Sequence, residues 1–389
     1  MGIGYLITTL LSTFLTAAAV APVRRTWALG QLSWRLGMQV NELPFLLGVW
    51  VLLSTGLAQA EGDVRTPIGA VGLVLAALTL VGLCIVVRRS LAAAPAVAEA
   101  LRVGLGEDAR SRGRRSWAPI LLAPLPFRPR SVSIRRDISY DAEHPENVLD
   151  IYSSRTPVSG TPTLVYFHGG GYLSGRKSRE ARPLLTRLAG QGWVCATVDY
   201  RLSRTAPYPA ALVDAKRAVA WMREHASTYG IDPGTVFVAG SSAGAHLAAM
   251  VALSPGAADL QPGFETADTQ VAGAICLYGF YDTPTWIDRE PGAPSSPLEL
   301  VSVSAPPFFV AHGDRDSFVP VEDAREFVRC LRAVSSSPVV YAELPGGQHT
   351  FDLYHSLRLE AAVDGAEAFT SWVRDRSGEI RSAADRGLA

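Results

Sequence analysis

Thr235-Val236-Phe237-Val238-Ala239-Gly240-Ser241-Ser242-Ala243-Gly244 is the stretch that decides how this chain is read. A β-like run enters it and an apolar, helix-like run through Ala252 leaves it, so its G-x-S-x-G pattern falls where a strand turns into a helix. In that setting the motif is a nucleophile elbow, which holds a serine hydroxyl out at the tip of a sheet. Glycines on either side let strand and helix approach closely around a residue forced into a strained turn. Ser242 is therefore the candidate nucleophile. Small residues beside a serine also occur in ordinary loops, so the assignment needs partners elsewhere in the chain.

Working outward from the elbow, strand-like runs recur at residues 148–152, 163–167, 194–198, 235–239, 271–277, 307–311 and 339–344, with helix-like runs between most of them. Parallel strands need crossovers of about a dozen residues, and these spacings supply them. The expected fold is a doubly wound, mostly parallel α/β sheet from about residue 131. After Pro209, Leu212, Ala215, Val219 and Met222 share one helical face while Asp214, Lys216, Arg217 and Glu224 lie elsewhere, as in a helix covering a sheet. The end from Arg374 to Ala389 reads as frayed and solvated, a flexible tail over 376–389.

The run at 163–167 leads directly into His168-Gly169-Gly170-Gly171-Tyr172. A tetrahedral intermediate of acyl transfer carries negative charge on oxygen, and consecutive glycines let backbone N–H groups converge on it unobstructed. The loop reads as an oxyanion hole; no G-K-[ST] follows and the dinucleotide spacing is absent, which disfavours a phosphate cradle. A serine hydroxyl needs a base within reach and an acid to orient that base, in the chain order Ser, Asp or Glu, His for this sheet type. His312, His349 and His355 are the histidines downstream of Ser242. His349, in Gly346-Gly347-Gln348-His349-Thr350-Phe351 just beyond a strand, fits the order. His312 precedes the candidate acids, and His355 falls in a helical stretch as a surface residue. Asp314 and Asp316, on one loop, are the candidate acids. His246, on the helix after the elbow, reads as a packed residue.

In this order, His168-Gly169-Gly170-Gly171, Asp199-Tyr200-Arg201-Leu202, the elbow, the H-G-x-x-D-x-x-V-P loop from His312 and the G-x-x-H-x-F segment resemble the α/β-hydrolase carboxylesterases of the hormone-sensitive-lipase type. The likeness covers about residues 140–375 and extends more loosely to a membrane-anchored bacterial subset. It implies that Asp316, before x-x-V-P, is the triad acid. It implies an oxyanion hole drawn from Gly169, Gly170, Gly171 and Ala243, the last three as N–H donors, with His168 shaping the loop. One departure is Ser241, where many members carry an aspartate or glutamate before the nucleophile; it removes that negative charge.

The other large feature lies upstream. Residues 4–23, 43–60 and 67–87 lack charge, and about 20 apolar residues cross a bilayer core, so the first and third qualify as transmembrane helices and the second is marginal. A cleaved signal peptide is the other reading of the first, but no basic residue precedes it and Arg24-Arg25 follow it. Arg24, Arg25 and Arg35 in the first connection and Arg88-Arg89 after the third span place those regions on the cytoplasmic side, with the N-terminus outside. Residues 90–130 read as a juxtamembrane linker in which Arg110, Arg112, Arg114 and Arg115 meet either anionic headgroups or water. Residues 1–89 thus form a membrane region and 131–375 a catalytic domain.

Equal counts of 36 basic and 36 acidic residues remove a bulk electrostatic case for nucleic acid as partner. Cys84, Cys195, Cys276 and Cys330 show neither metal-ligand spacing nor a disulfide framework and read as buried thiols. No metal or organic cofactor is expected. The expected function is a membrane-anchored serine carboxylesterase acting on uncharged short- to medium-chain esters, small-molecule or lipid-derived. Amide or formamide hydrolysis by the same triad, and a non-catalytic membrane receptor using the pocket, are the alternatives.

Overall fold

The computed structural model describes residues 2–106, 117–125, 127–156 and 158–387, with side chains described to Arg376. The basic cluster Arg110, Arg112, Arg114 and Arg115 lies outside the described residues. Strands β1 Val132–Ser139, β2 Val148–Ser154, β3 Thr161–Phe167, β4 Val194–Val198, β5 Ile231–Ser241, β6 Gly273–Leu277, β7 Phe308–Gly313 and β8 Val339–Leu344 form one sheet in the order β1-β2-β4-β3-β5-β6-β7-β8. The first two pairings, β1 with β2 and β2 with β4, are antiparallel and every other pairing is parallel. This is the α/β-hydrolase architecture expected. Strands β3, β4, β6 and β7 are buried along their whole length, as parallel strands covered on both faces must be.

The helices are α1 Ile3–Val20, α2 Trp27–Glu42, α3 Pro44–Ala60, α4 Pro67–Leu91, α5 Ala93–Leu105, α6 Trp117–Leu122, α7 Arg182–Gly190, α8 Ala210–Glu224, α9 Ala226–Tyr229, α10 Ala243–Leu253, α11 Pro297–Leu300, α12 Val321–Val334 and α13 Leu357–Gly387. α8, α10 and α12 cover one sheet face, packed on Val165, Val238 and Val310. α5, α7 and α13 cover the other, packed on Leu164, Phe237 and Phe309. The stretch that reads as a linker therefore divides: Val97, Leu101 and Leu105 of α5 belong to the core of the sheet domain. The backbone stays helical to Gly387, where the sequence suggests a flexible tail.

α8 bears out the apolar face, since Leu212, Ala215, Val219 and Met222 are fully buried. Two of its four off-face charges are not in water, however, while Glu224 is exposed. Asp214 is buried and takes a bidentate contact from Arg201, and Lys216 is buried with its ammonium on the Ser254 carbonyl. Each charge is met by a partner that periodicity does not reveal. Of the cysteines, Cys195 and Cys276 are buried, Cys330 is half-buried and Cys84 faces outward from α4.

The N-terminal helices are built the other way round from a water-facing bundle. α1 buries Thr9, Ser12, Thr16 and Ala19 and exposes Leu10, Leu11 and Phe14, while α4 buries Gly72, Ala76 and Thr79 and exposes Val74, Leu78 and Val81. Thr13 Oγ1 and Thr79 Oγ1 lie 2.9 Å apart between them. α1 and the combined α4–α5 rod are long and apolar enough to cross a membrane, and α2 with α3, bent by 82°, would make a third span if taken together.

The ends of these helices sort into two levels. At one, Gly2 N–H donates to Asp63 Oδ2 at 2.8 Å and Tyr5 Oη lies 3.0 Å from Thr55 Oγ1, which joins the start of α1 to the end of α3 and the start of α4. At the other, Arg89 Nη1 donates to the Val20 carbonyl at 2.7 Å. The sheet domain sits against this second level. Arg358, fully buried, donates from Nη1 to Glu42 Oε1 at 3.1 Å and to the Asn41 carbonyl at 2.9 Å, and Asn41 Nδ2 donates to the Gly346 carbonyl at 2.7 Å.

Candidate active site

The elbow forms as its sequence demands. Ser242 sits between β5 and α10 with φ 55° and ψ −120°, a conformation that non-glycine residues rarely adopt and that marks stored strain. Its N–H donates to the Leu277 carbonyl at 2.9 Å, and its own carbonyl accepts from His246 N–H at 3.1 Å, which pins the turn from both sides.

Three loops at the carboxyl ends of strands bring the remaining candidates to it. His349, beyond β8, has Nε2 2.9 Å from Ser242 Oγ. Its Nδ1 lies 2.7 Å from Asp316 Oδ2, on the loop after β7. Asp316 Oδ1 accepts the N–H groups of Phe318 and Val319, each at 2.8 Å. Burial alone would raise this carboxyl, but His349 and His312 outweigh it and hold Asp316 well below the usual carboxylate range. His312, which sequence order sets aside as a base, approaches the same Oδ2 at 3.3 Å and donates to the Val319 carbonyl at 3.1 Å. Asp314 turns away: its Oδ1 accepts Gly346 N–H at 2.6 Å. His355 lies in the loop before α13 and not in a helix, half-buried and 2.7 Å from Glu360 Oε1.

The glycine loop divides in use. Gly169 N–H already donates to Glu180 Oε2 at 2.5 Å, so Gly169 is corrected from an oxyanion candidate to a loop anchor. Gly170 has φ 127° and Gly171 φ 64°, and a Cβ on Gly170 would overlap the Ser174 carbonyl, so both positions require glycine. The N–H groups of Gly170, Gly171 and Ala243 have no protein acceptor among the described residues. His168 is buried, its Nδ1 donates to the Gly169 carbonyl at 2.7 Å and its ring stacks on Tyr200 at 4.4 Å. Burial lowers its pKa below the ordinary imidazole value, which favours the neutral ring.

Behind the elbow lies a network that the sequence did not announce. Tyr166 Oη donates to Ser241 Oγ at 2.7 Å, Ser241 Oγ donates to Asp352 Oδ2 at 2.6 Å, and Tyr278 Oη donates to Asp352 Oδ1. The carboxyl group missing at position 241 is thus present in space, supplied by the His349 loop. A single signal pointed to it, the acidic residue three places after His349. Burial raises the Asp352 pKa, while burial and then Asp352 itself push Glu180 up to about 7. His246 is fully buried, 2.7 Å from Tyr172 Oη and 3.0 Å from the Ser295 carbonyl, and burial lowers it to about 4. Among the described residues no three His, Cys, Asp or Glu side chains gather to hold a metal ion.

Ser242 is only 6% exposed and His349 2%. Trp286 stands at the glycine loop, its Nε1 donating to the Gly171 carbonyl at 3.1 Å. On the other side Trp34, from α2, donates from Nε1 to the His349 carbonyl and to Thr350 Oγ1, both at 3.1 Å. Its ring lies 5.8 Å from His349 and 5.0 Å from Phe318.

Three kinds of likeness accompany this geometry. Residues 149–293 match the BD-FAE family. Over nearly its full length the chain is 36% identical to a probable carboxylic ester hydrolase, LipM, of Mycobacterium tuberculosis, covering 95% of this chain and 93% of that protein. It is also 36% identical to the esterase LipQ of that organism, over 70% of each chain. Among solved structures, an esterase from the planctomycete Thermogutta terrifontis superposes with a TM-score of 0.53 at 24% identity, over 63% of this chain and 94% of that one, which is a likeness of fold.

Proposed function

The chain belongs to the α/β-hydrolase carboxylic ester hydrolases of the hormone-sensitive-lipase type, and from that premise we propose that it cleaves uncharged short- to medium-chain esters through Ser242, His349 and Asp316. The observation that carries this reading is the relay from Ser242 Oγ through the His349 ring to Asp316. Ser242 attacks the ester carbonyl while His349 Nε2 takes its proton. Asp316, ionised, fixes the Nδ1–H tautomer and balances the charge that forms on the ring. The oxyanion is received by the N–H groups of Gly170, Gly171 and Ala243, each worth roughly 100- to 1,000-fold in turnover. His349 then protonates the leaving alcohol, and water, activated by the same ring, releases the acid from Ser242.

The apolar outward faces of α1, α3 and α4 support a membrane setting with three spans. Their 18, 17 and 25 residues compare with the roughly 20 that a bilayer core requires. In this arrangement the sheet domain lies on the side of Arg24, Arg25, Arg35, Arg88 and Arg89, which the positive-inside rule makes cytoplasmic. Lipid-derived esters are then the nearest substrates.

Ser242→Ala is expected to lower hydrolysis of p-nitrophenyl butyrate by roughly 10⁴-fold or more. A fluorophosphonate should label the parent at Ser242 and leave the variant unlabelled. Retained turnover in the variant would overturn the mechanism.

A further inference from the structure

α2 is placed where a helix has two tasks. In sequence it connects the end of α1 to the start of α3, and in space it lies on the catalytic loops. Ser317 Oγ, one residue after Asp316, donates to the Gly30 carbonyl at 2.9 Å, and a Cβ on Gly30 would overlap the Ser317 carbonyl oxygen. Arg315 Nη1 donates to the Val20 carbonyl at 3.4 Å, so the acid loop also touches the end of α1 itself. Trp34 bonds the His349 loop, and Phe318 stands between the α2 indoles and the His349 ring, 6.5 Å from Trp27, 5.0 Å from Trp34 and 4.8 Å from His349.

The free half of α2 is divided lengthwise. Leu29, Leu32 and Leu36 follow one another at helical spacing along one strip, with Leu29 45% and Leu32 52% exposed. Arg35 and Gln39, one turn apart, lie along the adjoining strip, both exposed. Trp27, 70% exposed, stands at the helix start. An apolar strip beside a polar one, with an aromatic at the end, is the form of a helix lying in the headgroup boundary of a bilayer. The 82° bend between α2 and α3 turns it out of the direction of the spans.

We propose that α2 lies in the membrane surface as one wall of the catalytic site, and that the substrate is an amphiphilic ester held in the bilayer, reaching Ser242 laterally along the Trp27–Phe318–Trp34 side with its carbonyl at headgroup depth. The proposal rests on the esterase reading. It explains why a nearly closed site, bounded at the glycine loop by Trp286, is walled on its His349 side by an aromatic helix from the N-terminal region. The acyl chain stays in an apolar phase throughout, so a long-chain substrate is not transferred through water before reaction.

The full chain in lipid nanodiscs tests this with two measurements. The double substitution Leu29→Glu, Leu32→Glu is compared with the parent on soluble p-nitrophenyl butyrate and on p-nitrophenyl palmitate dissolved in the bilayer. The expected result is a loss of about tenfold or more on the palmitate and a change within about twofold on the butyrate. Independently, a bimane label placed by Leu32→Cys, in a chain with Cys84→Ser and Cys330→Ser, should be quenched by lipids brominated near the headgroup. Unchanged palmitate turnover, equal losses on both esters, or an unquenched label would each overturn the proposal. A parent that leaves butyrate untouched would instead defeat the esterase reading, while the quenching result still decides where α2 lies.

Discussion

Asp316 and Asp314 occupy one loop yet face different tasks: one carboxylate meets the His349 ring, the other ties down Gly346 N–H. Asp316→Asn should lower turnover by roughly 10⁴-fold by favouring the wrong imidazole tautomer. Asp314→Asn should cost far less, and kcat of the two purified variants on p-nitrophenyl butyrate decides between them; a larger loss in Asp314→Asn would reverse the assignment. Glu180 offers a second test. Its folded pKa of about 7 stands above its ordinary 4.5, so between those values the folded chain keeps a proton that the unfolded chain has released. This group therefore makes the fold progressively less stable as pH rises from about 4.5 to about 7, with no further change above that. Glu180→Gln should flatten the fall in melting temperature between about pH 5 and about pH 8; an unaltered slope would show that Glu180 does not titrate there. Ser242 and His349 are legible in the sequence because each motif carries its own turn geometry. Asp352 is not, because its partners Tyr166, Ser241 and Tyr278 come from distant strands, and Glu180 is not, because its burial and its bond to Gly169 N–H depend on how the glycine loop folds.

At the scale of elements, Gly30 is the point where α2 meets the catalytic loop. Gly30→Val should push Ser317, and with it Asp316, away from His349. A displacement of about 1 Å at a catalytic group lowers turnover on the order of 100-fold, measurable on p-nitrophenyl butyrate with nanodisc assembly unchanged. Full activity would show that α2 and the loop are not coupled. The parallel strands are legible from their apolar runs, since burial on both faces leaves them little else to be. β1 escaped because it is an edge strand, with Arg135, Arg136 and Asp137 exposed at its middle, the charged pattern that keeps edges from pairing further. The core role of α5 is equally hidden: an alanine-rich amphipathic run next to a membrane span reads as a linker until the sheet that receives it is known.

For the whole molecule, the sheet domain packs at the level of Arg89 and the end of α1, and the proposed topology puts that level on the cytoplasmic side. Protease added to intact cells should leave the sheet domain uncut and should cleave it after permeabilisation; cleavage in intact cells would invert the topology. The Arg358–Glu42 pair has a further consequence, for synthesis. A guanidinium enclosed without its carboxylate is costly on the order of 3–5 kcal/mol, and a fragment beginning at residue 131 would lose both Glu42 and the α2 backbone that packs over Arg358. During translation the order is reversed: Glu42 is made early and waits through more than three hundred residues for its cation. A ribosome that stops short of α13 therefore releases a chain in which the contacts of Gly30, Trp34 and Asn41 can form while Glu42 still lacks its cation.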